Sequence, residues 1–73
     1  MLPKVLPYED VKHKLEKAGY SEHTQKGSHV KFIKQTSEGT RTVIVPKHKE
    51  ISIGTLKSIL RQAGINEEEF ERL

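Results

Sequence analysis

With 73 residues, 33% of them hydrophobic, and a mean hydropathy of −0.68, the chain has room for one small domain with a thin core, and no stretch stays apolar long enough to span a bilayer as a helix. It has no cysteine, which excludes disulfides and thiolate metal sites and fits a reducing cytoplasm. The net charge of +3 is uneven: residues 1–63 hold twelve Lys/Arg against six Asp/Glu, and residues 64–73 hold one Arg against four Glu, so a basic body suited to an anionic partner such as nucleic acid ends in an acidic tail. A soluble, charge-mixed surface has the same composition, and charge alone leaves both readings open.

The first residues carry Pro3 and Pro7. They are too short and too interrupted for a signal peptide, and residues 1–6 read as an extended leader. Residues 7–18 predict a helix, with Pro7 at its first position and Glu9 and Asp10 at the positive end of its dipole. Tyr8, Val11, Leu15 and Ala18 recur at helical steps as one buried stripe, and Gly19 fits the position that ends the helix. A short, mostly polar strand follows from Tyr20 to Gln25, then a Lys26-Gly27-Ser28 turn. A second strand runs from His29 to Lys34. Its period of two puts Val30 and Phe32 on one face and His29, Lys31 and Ile33 on the other.

Thr36 to Gly39 predict a hairpin connection, and the β-branched run from Thr40 to Val45 a third strand ended by Pro46. Lys47 to Glu50 form a charged loop. Ser52 is a helix N-cap, with Ile53, Leu56, Ile59, Leu60 and Ala63 as the apolar stripe of the helix that follows and Gly64 as its stop. Asn66 and Glu69 have the spacing of a capping box that opens a short C-terminal helix over 66–73, returned to the core by Phe70 and Leu73. The expected fold is α+β in the order α-β-β-β-α: a three-stranded antiparallel sheet with the helices on one face and the other face free. Double-stranded-RNA-binding domains have this element order, which by itself assigns no function.

Chemistry concentrates in Gln25 to Phe32. Gly27 lets the backbone turn, Ser28 supplies a hydroxyl, and Lys26 and Lys31 flank His29, an imidazole of the kind that takes or gives a proton near neutral pH. RNA is cut without a metal when a base removes the ribose 2′-OH proton and the freed oxygen attacks the adjacent phosphorus. A histidine among cations suits that step. A hydrogen-bonded strand-end histidine is the other reading of the same residues. His13, His23, His29 and His48 have no metal-ligand spacing, so no metal or other cofactor is expected. His48, in Pro46-Lys47-His48, comes near His29 if the second and third strands pair. There it would be a second proton carrier, a phosphate contact or a plain loop residue. Lys57 and Arg61 share a helix face and either track phosphates or solvate that face.

Together, Gly19-Tyr20, Gln25-Lys26-Gly27-Ser28-His29, Val43-Ile44-Val45-Pro46-Lys47-His48 and the run from Gly54-Thr55-Leu56 to Ala63-Gly64-Ile65 closely resemble the HicA (YcfA-like) family, the small mRNA-interferase toxins of bacterial and archaeal toxin–antitoxin pairs. The likeness extends from about Tyr8 to Leu73. It implies a double-stranded-RNA-binding-like fold, metal-independent cleavage of mRNA, His29 as the catalytic histidine, and a HicB-type antitoxin that covers the active face. His48 matches the family's P-x-H position. The proline-rich leader before Tyr8 departs from the family pattern. The expectation is a single-domain cytoplasmic endoribonuclease. His29 would act as general base or acid, with Lys26, Gly27, Ser28, Lys31, His48, Lys57 and Arg61 on the RNA and no membrane or small-molecule cofactor involved. The alternative is a non-catalytic RNA-binding module of the same fold.

Overall fold

A computed structural model describes Leu2 and residues 4–73. The chain runs β1 (Val5–Leu6), α1 (Tyr8–Lys17), β2 (Ser21–Lys26), β3 (His29–Thr36), β4 (Gly39–Pro46), β5 (Ile51–Ser52), α2 (Ile53–Ala63) and α3 (Glu67–Arg72). The strands β2, β3 and β4 form an antiparallel sheet in that order, giving the α+β, double-stranded-RNA-binding-like architecture that the element order predicts.

The period-two pattern decides which sheet face is dry. Val30 pairs with Val45 and Phe32 with Val43, and all four side chains are fully buried. They join one cluster with Val11 and Leu15 of α1, Leu56, Ile59 and Leu60 of α2, and Phe70 of α3. The helices therefore share this face. Burying side chains of this size contributes about 1.5–3 kcal/mol each before chain entropy is subtracted, so the cluster is the main source of stability.

Polar contacts fix the helices. The Tyr20 O–H donates to the Ala63 carbonyl at 2.8 Å, tying the end of α1 to the end of α2. Lys14 Nζ donates to the Phe70 carbonyl at 3.0 Å and to the Leu73 carbonyl at 3.3 Å, so α1 supplies a cation to the negative end of α3. Asn66 and Glu69 form the expected capping box. The Ser52 side chain caps α2, and Gly64 ends it in the left-handed conformation.

Several features differ from the sequence reading. Tyr20 stands before β2, and β3 runs on past Lys34 to Thr36. Pro7 is the N-cap of α1 and not its first helical residue: its ψ of 149° is extended, and its carbonyl accepts from the Asp10 and Val11 N–H groups. Helical spacing puts Ile53 in the stripe of α2, but it is 36% exposed at the helix's first position, where its N–H donates to the Lys4 carbonyl. The leader is anchored: Leu2 is in the core, and Val5 and Leu6 pair with Ser52 and Ile51 in a second, two-stranded sheet. Met1 and Pro3, also part of that leader, lie outside the described residues. No helix among the described residues is long and apolar enough to cross a membrane.

Candidate nucleic-acid interface

The β2–β3 hairpin turns on two residues, Gly27 and Ser28. Gly27 has a φ of +61° and Ser28 does not share its positive sign, the combination of a type II′ turn, whose twist matches that of the flanking strands. Nothing lies within 4 Å of where a Cβ on Gly27 would sit, so it is backbone conformation that asks for glycine here. The Gln25 side-chain amide donates to the Gly27 carbonyl at 3.0 Å and braces the turn.

His29 is the first residue of β3. It pairs with Lys26 on one side and Pro46 on the other, so one cross-strand row reads Lys26, His29, Pro46. Directly opposed residues share a face. Since Val30 and Val45 in the next row point into the core, this row lies on the outer face. Two residues along β3, the row Thr24, Lys31, Ile44 lies on the same face. His29, Lys26 and Lys31 are all exposed. Among the described residues, none of the three makes an ion pair or a side-chain hydrogen bond.

Other cations have neighbours within the fold. Lys12 is 3.1 Å from Glu22, Lys34 donates to the Ala18 carbonyl at 2.7 Å, and Lys47 stands over the Tyr8 ring at 5.7 Å. The Glu22 carboxylate also accepts from the Tyr8 O–H at 3.4 Å on the helix side of the sheet. Burial, with the Glu22 charge beside it, pushes the Tyr8 hydroxyl up to about 12. Hydrogen bonding to Glu22 raises Lys12 above the usual lysine range.

The Lys47 N–H donates to the Ser28 carbonyl and ties the Gly27-Ser28 turn to the loop after β4. His48 follows directly. It lines a hollow of about 290 Å³ with Pro7, Tyr8, Glu9, Lys47 and Lys49, a hollow that His29 does not line. Lys57 and Arg61 are exposed on α2 and border a groove with Leu60, Ile65, Asn66 and Glu67. Arg61 also faces a hollow with Thr36, Arg41 and Thr42 at the far end of the sheet. His29 and Thr36 are the two ends of the eight-residue β3, roughly 23 Å apart at about 3.3 Å per residue. The fold thus gathers Lys26, Gly27, Ser28, His29 and Lys31 at one end, brings the His48 loop beside them, and leaves Arg61 at the other.

The residues that build this hairpin, the Pro46–His48 loop and α2 fall within one family match. A family model described as the HicA toxin of bacterial toxin–antitoxin systems covers residues 8–65. The chain belongs to the HicA toxin family. It is accordingly a toxin-type protein of a toxin–antitoxin system, in which an antitoxin is the partner. The match takes in α1 through α2 and leaves β1 and α3 outside. No curated protein matches the chain significantly.

Sequence reasoning missed Pro7, Tyr8 and Glu9 as neighbours of His48. The hollow joins segments some forty residues apart, which meet through the β1–β5 pairing and the packing of Tyr8 into the core.

Proposed function

We propose that this HicA-family toxin is a metal-independent endoribonuclease that cleaves mRNA in the cytoplasm, with His29 as the general base or acid. In the base role, the imidazole takes the 2′-OH proton and the 2′-oxygen bonds to the adjacent phosphorus. The P–O5′ bond breaks, and the 5′-oxygen takes up a proton from an acid group or water. The products are a 2′,3′-cyclic phosphate and a 5′-hydroxyl. Proton transfer of this kind is worth ~10²–10⁴-fold. Lys26 and Lys31 stabilise charge on the phosphorane, with Gly27 and Ser28 shaping the turn around it. Lys57 and Arg61 hold more distant parts of a long RNA, and a HicB-type antitoxin silences the toxin by covering this end of the sheet.

The observation that carries this reading is the exposed row Lys26–His29, with Lys31 two residues along the same outer face and no carboxylate paired to any of them among the described residues. A polyanion meets unneutralised cations there with an imidazole between them. The test is a gel of RNA incubated with pure protein in the presence of a chelator, followed by mapping of the new ends. Fragments ending in cyclic phosphate support the proposal. Intact but shifted RNA, freed at high salt, identifies a non-catalytic RNA-binding module instead.

A further inference from the structure

The hollow beside His48 adds a second element to the interface. Three consecutive residues, Lys47, His48 and Lys49, border it on one side, and Pro7, Tyr8 and Glu9 border it on the other. Tyr8, 5% exposed, is among its lining residues, and Lys47 Nζ stands 5.7 Å from the centre of the Tyr8 ring. Two lysines face one carboxylate, so the hollow is net cationic. At about 290 Å³ it is near the lower end of small-molecule sites, roughly 300–1,000 Å³.

Its position relative to the hairpin is fixed by backbone. Pro46 is the cross-strand partner of His29, and the Lys47 N–H is bonded to the Ser28 carbonyl. The hollow therefore begins one residue past the His29 row. With successive Cα atoms about 3.8 Å apart, Lys47 stands one residue step and Lys49 three steps, at most about 11 Å of chain, from that row. That is the reach of the next nucleotide on a strand whose scissile phosphate lies at His29.

We propose that this hollow is a subsite for the nucleotide flanking the scissile phosphate, with Lys47 and Lys49 holding its phosphate and the Pro7–Tyr8 surface supporting its sugar or base. The inference rests on the nuclease reading for which phosphate is the scissile one. The ligand chemistry is that of a single-stranded RNA segment. The site makes the interface directional, because a strand crossing His29 is drawn around the end of the sheet toward α1.

The test is a length series of 2′-O-methyl RNA oligomers, which cannot be cut, from two to six nucleotides. It is titrated against the parent, Lys49→Ala and Lys47→Ala/Lys49→Ala proteins at several salt concentrations. The parent is expected to gain affinity when a third nucleotide is added, and the double variant to forfeit that gain while binding the dinucleotide as before. The slope of log affinity against log salt becomes shallower by about 0.7 for each lysine–phosphate pair removed, roughly fivefold in affinity per pair at 0.1 M salt relative to 1 M. Lys49→Ala, which removes no ring contact, is expected to show part of the same weakening and guards against a folding defect in the double variant. Equal weakening at every length, or no weakening, overturns the subsite. A parent that cuts ordinary RNA while the double variant keeps its length dependence overturns the subsite alone. A parent that shows the length dependence but cuts no RNA overturns the nuclease reading and supports the hollow as an RNA site. A parent that binds no oligomer overturns both.

Discussion

His29 faces Pro46 across the β3–β4 ladder, at the point where both strands leave the sheet. A histidine there has its ring on the wet face and its backbone in a regular ladder. Its side chain can therefore be removed without disturbing the core.

Replacing His29 by alanine is expected to abolish RNA cleavage and toxin-induced growth arrest while preserving the fold. An exposed side chain with no partner costs within about 0.5 kcal/mol, which for a domain this size shifts Tm by less than about 4 °C. Circular dichroism and end-mapping on the same preparation check both halves. Equal cleavage by variant and parent removes His29 from the chemistry.

Gly27 has φ of +61° with open space around it. Gly27→Ala should cost roughly 1–2 kcal/mol through backbone strain alone, and Gly27→Asn less, because asparagine tolerates the left-handed region. Urea midpoints with an unchanged slope would show this. Equal stability of Gly27→Ala and the parent would mean that the turn has another form in solution.

The Tyr20 O–H is the partner of the Ala63 carbonyl in a buried setting. Phenylalanine keeps the ring and leaves that carbonyl unpaired, which costs about 1–2 kcal/mol and lowers Tm by roughly 5–10 °C. A thermal melt of Tyr20→Phe decides the matter.

Alkaline pH should unfold the protein ahead of ordinary base damage. Tyr8 is raised from 10.0 to about 12 and Tyr20 is also raised, both chiefly by burial. A tyrosine whose folded-state value lies above its unfolded one contributes its full stability below pH 10.0, and that contribution disappears as pH rises toward about 12. Stability should therefore fall across that window, with tyrosinate absorbance appearing together with loss of structure. Tyr8→Phe removes its share and should flatten the fall. A tyrosinate signal near pH 10.0 in the folded protein would contradict the burial of these hydroxyls.

How much of this is readable from the chain depends on whether a residue's role is periodic. Val11 and Leu15, or Leu56, Ile59 and Leu60, announce their burial by spacing, and all are buried. Val30 and Phe32 set the face of β3 and so put His29 and Lys31 outside. The Asn66–Glu69 box and Gly64 are local signals and appear where expected. Two-residue strands have no period to detect, so β1 and β5 leave no mark in the sequence. Neither does the register shift between Glu22 and Thr24 in β2, where no residue type signals a bulge. Tyr20 reads as a strand residue by type. It stands just before the strand, with its N–H donating to the Leu15 carbonyl at the end of α1 and its hydroxyl to a carbonyl forty-three positions away. The hollow by His48 is invisible for the same reason: it exists only between segments distant in sequence.

The pairing of Val5 and Leu6 with Ser52 and Ile51 has a bearing on how the molecule comes off the ribosome. The earliest of these strands to be synthesised must wait for partners in the last third of the chain, so the segment that carries His48 is held at both ends only late in translation. A nascent chain stalled before Ile51 would carry the hairpin with His29 but not a pinned Lys47–Glu50 segment. On that account, a premature stop before Ile51 would release a chain in which Val5 and Leu6 have no strand partner.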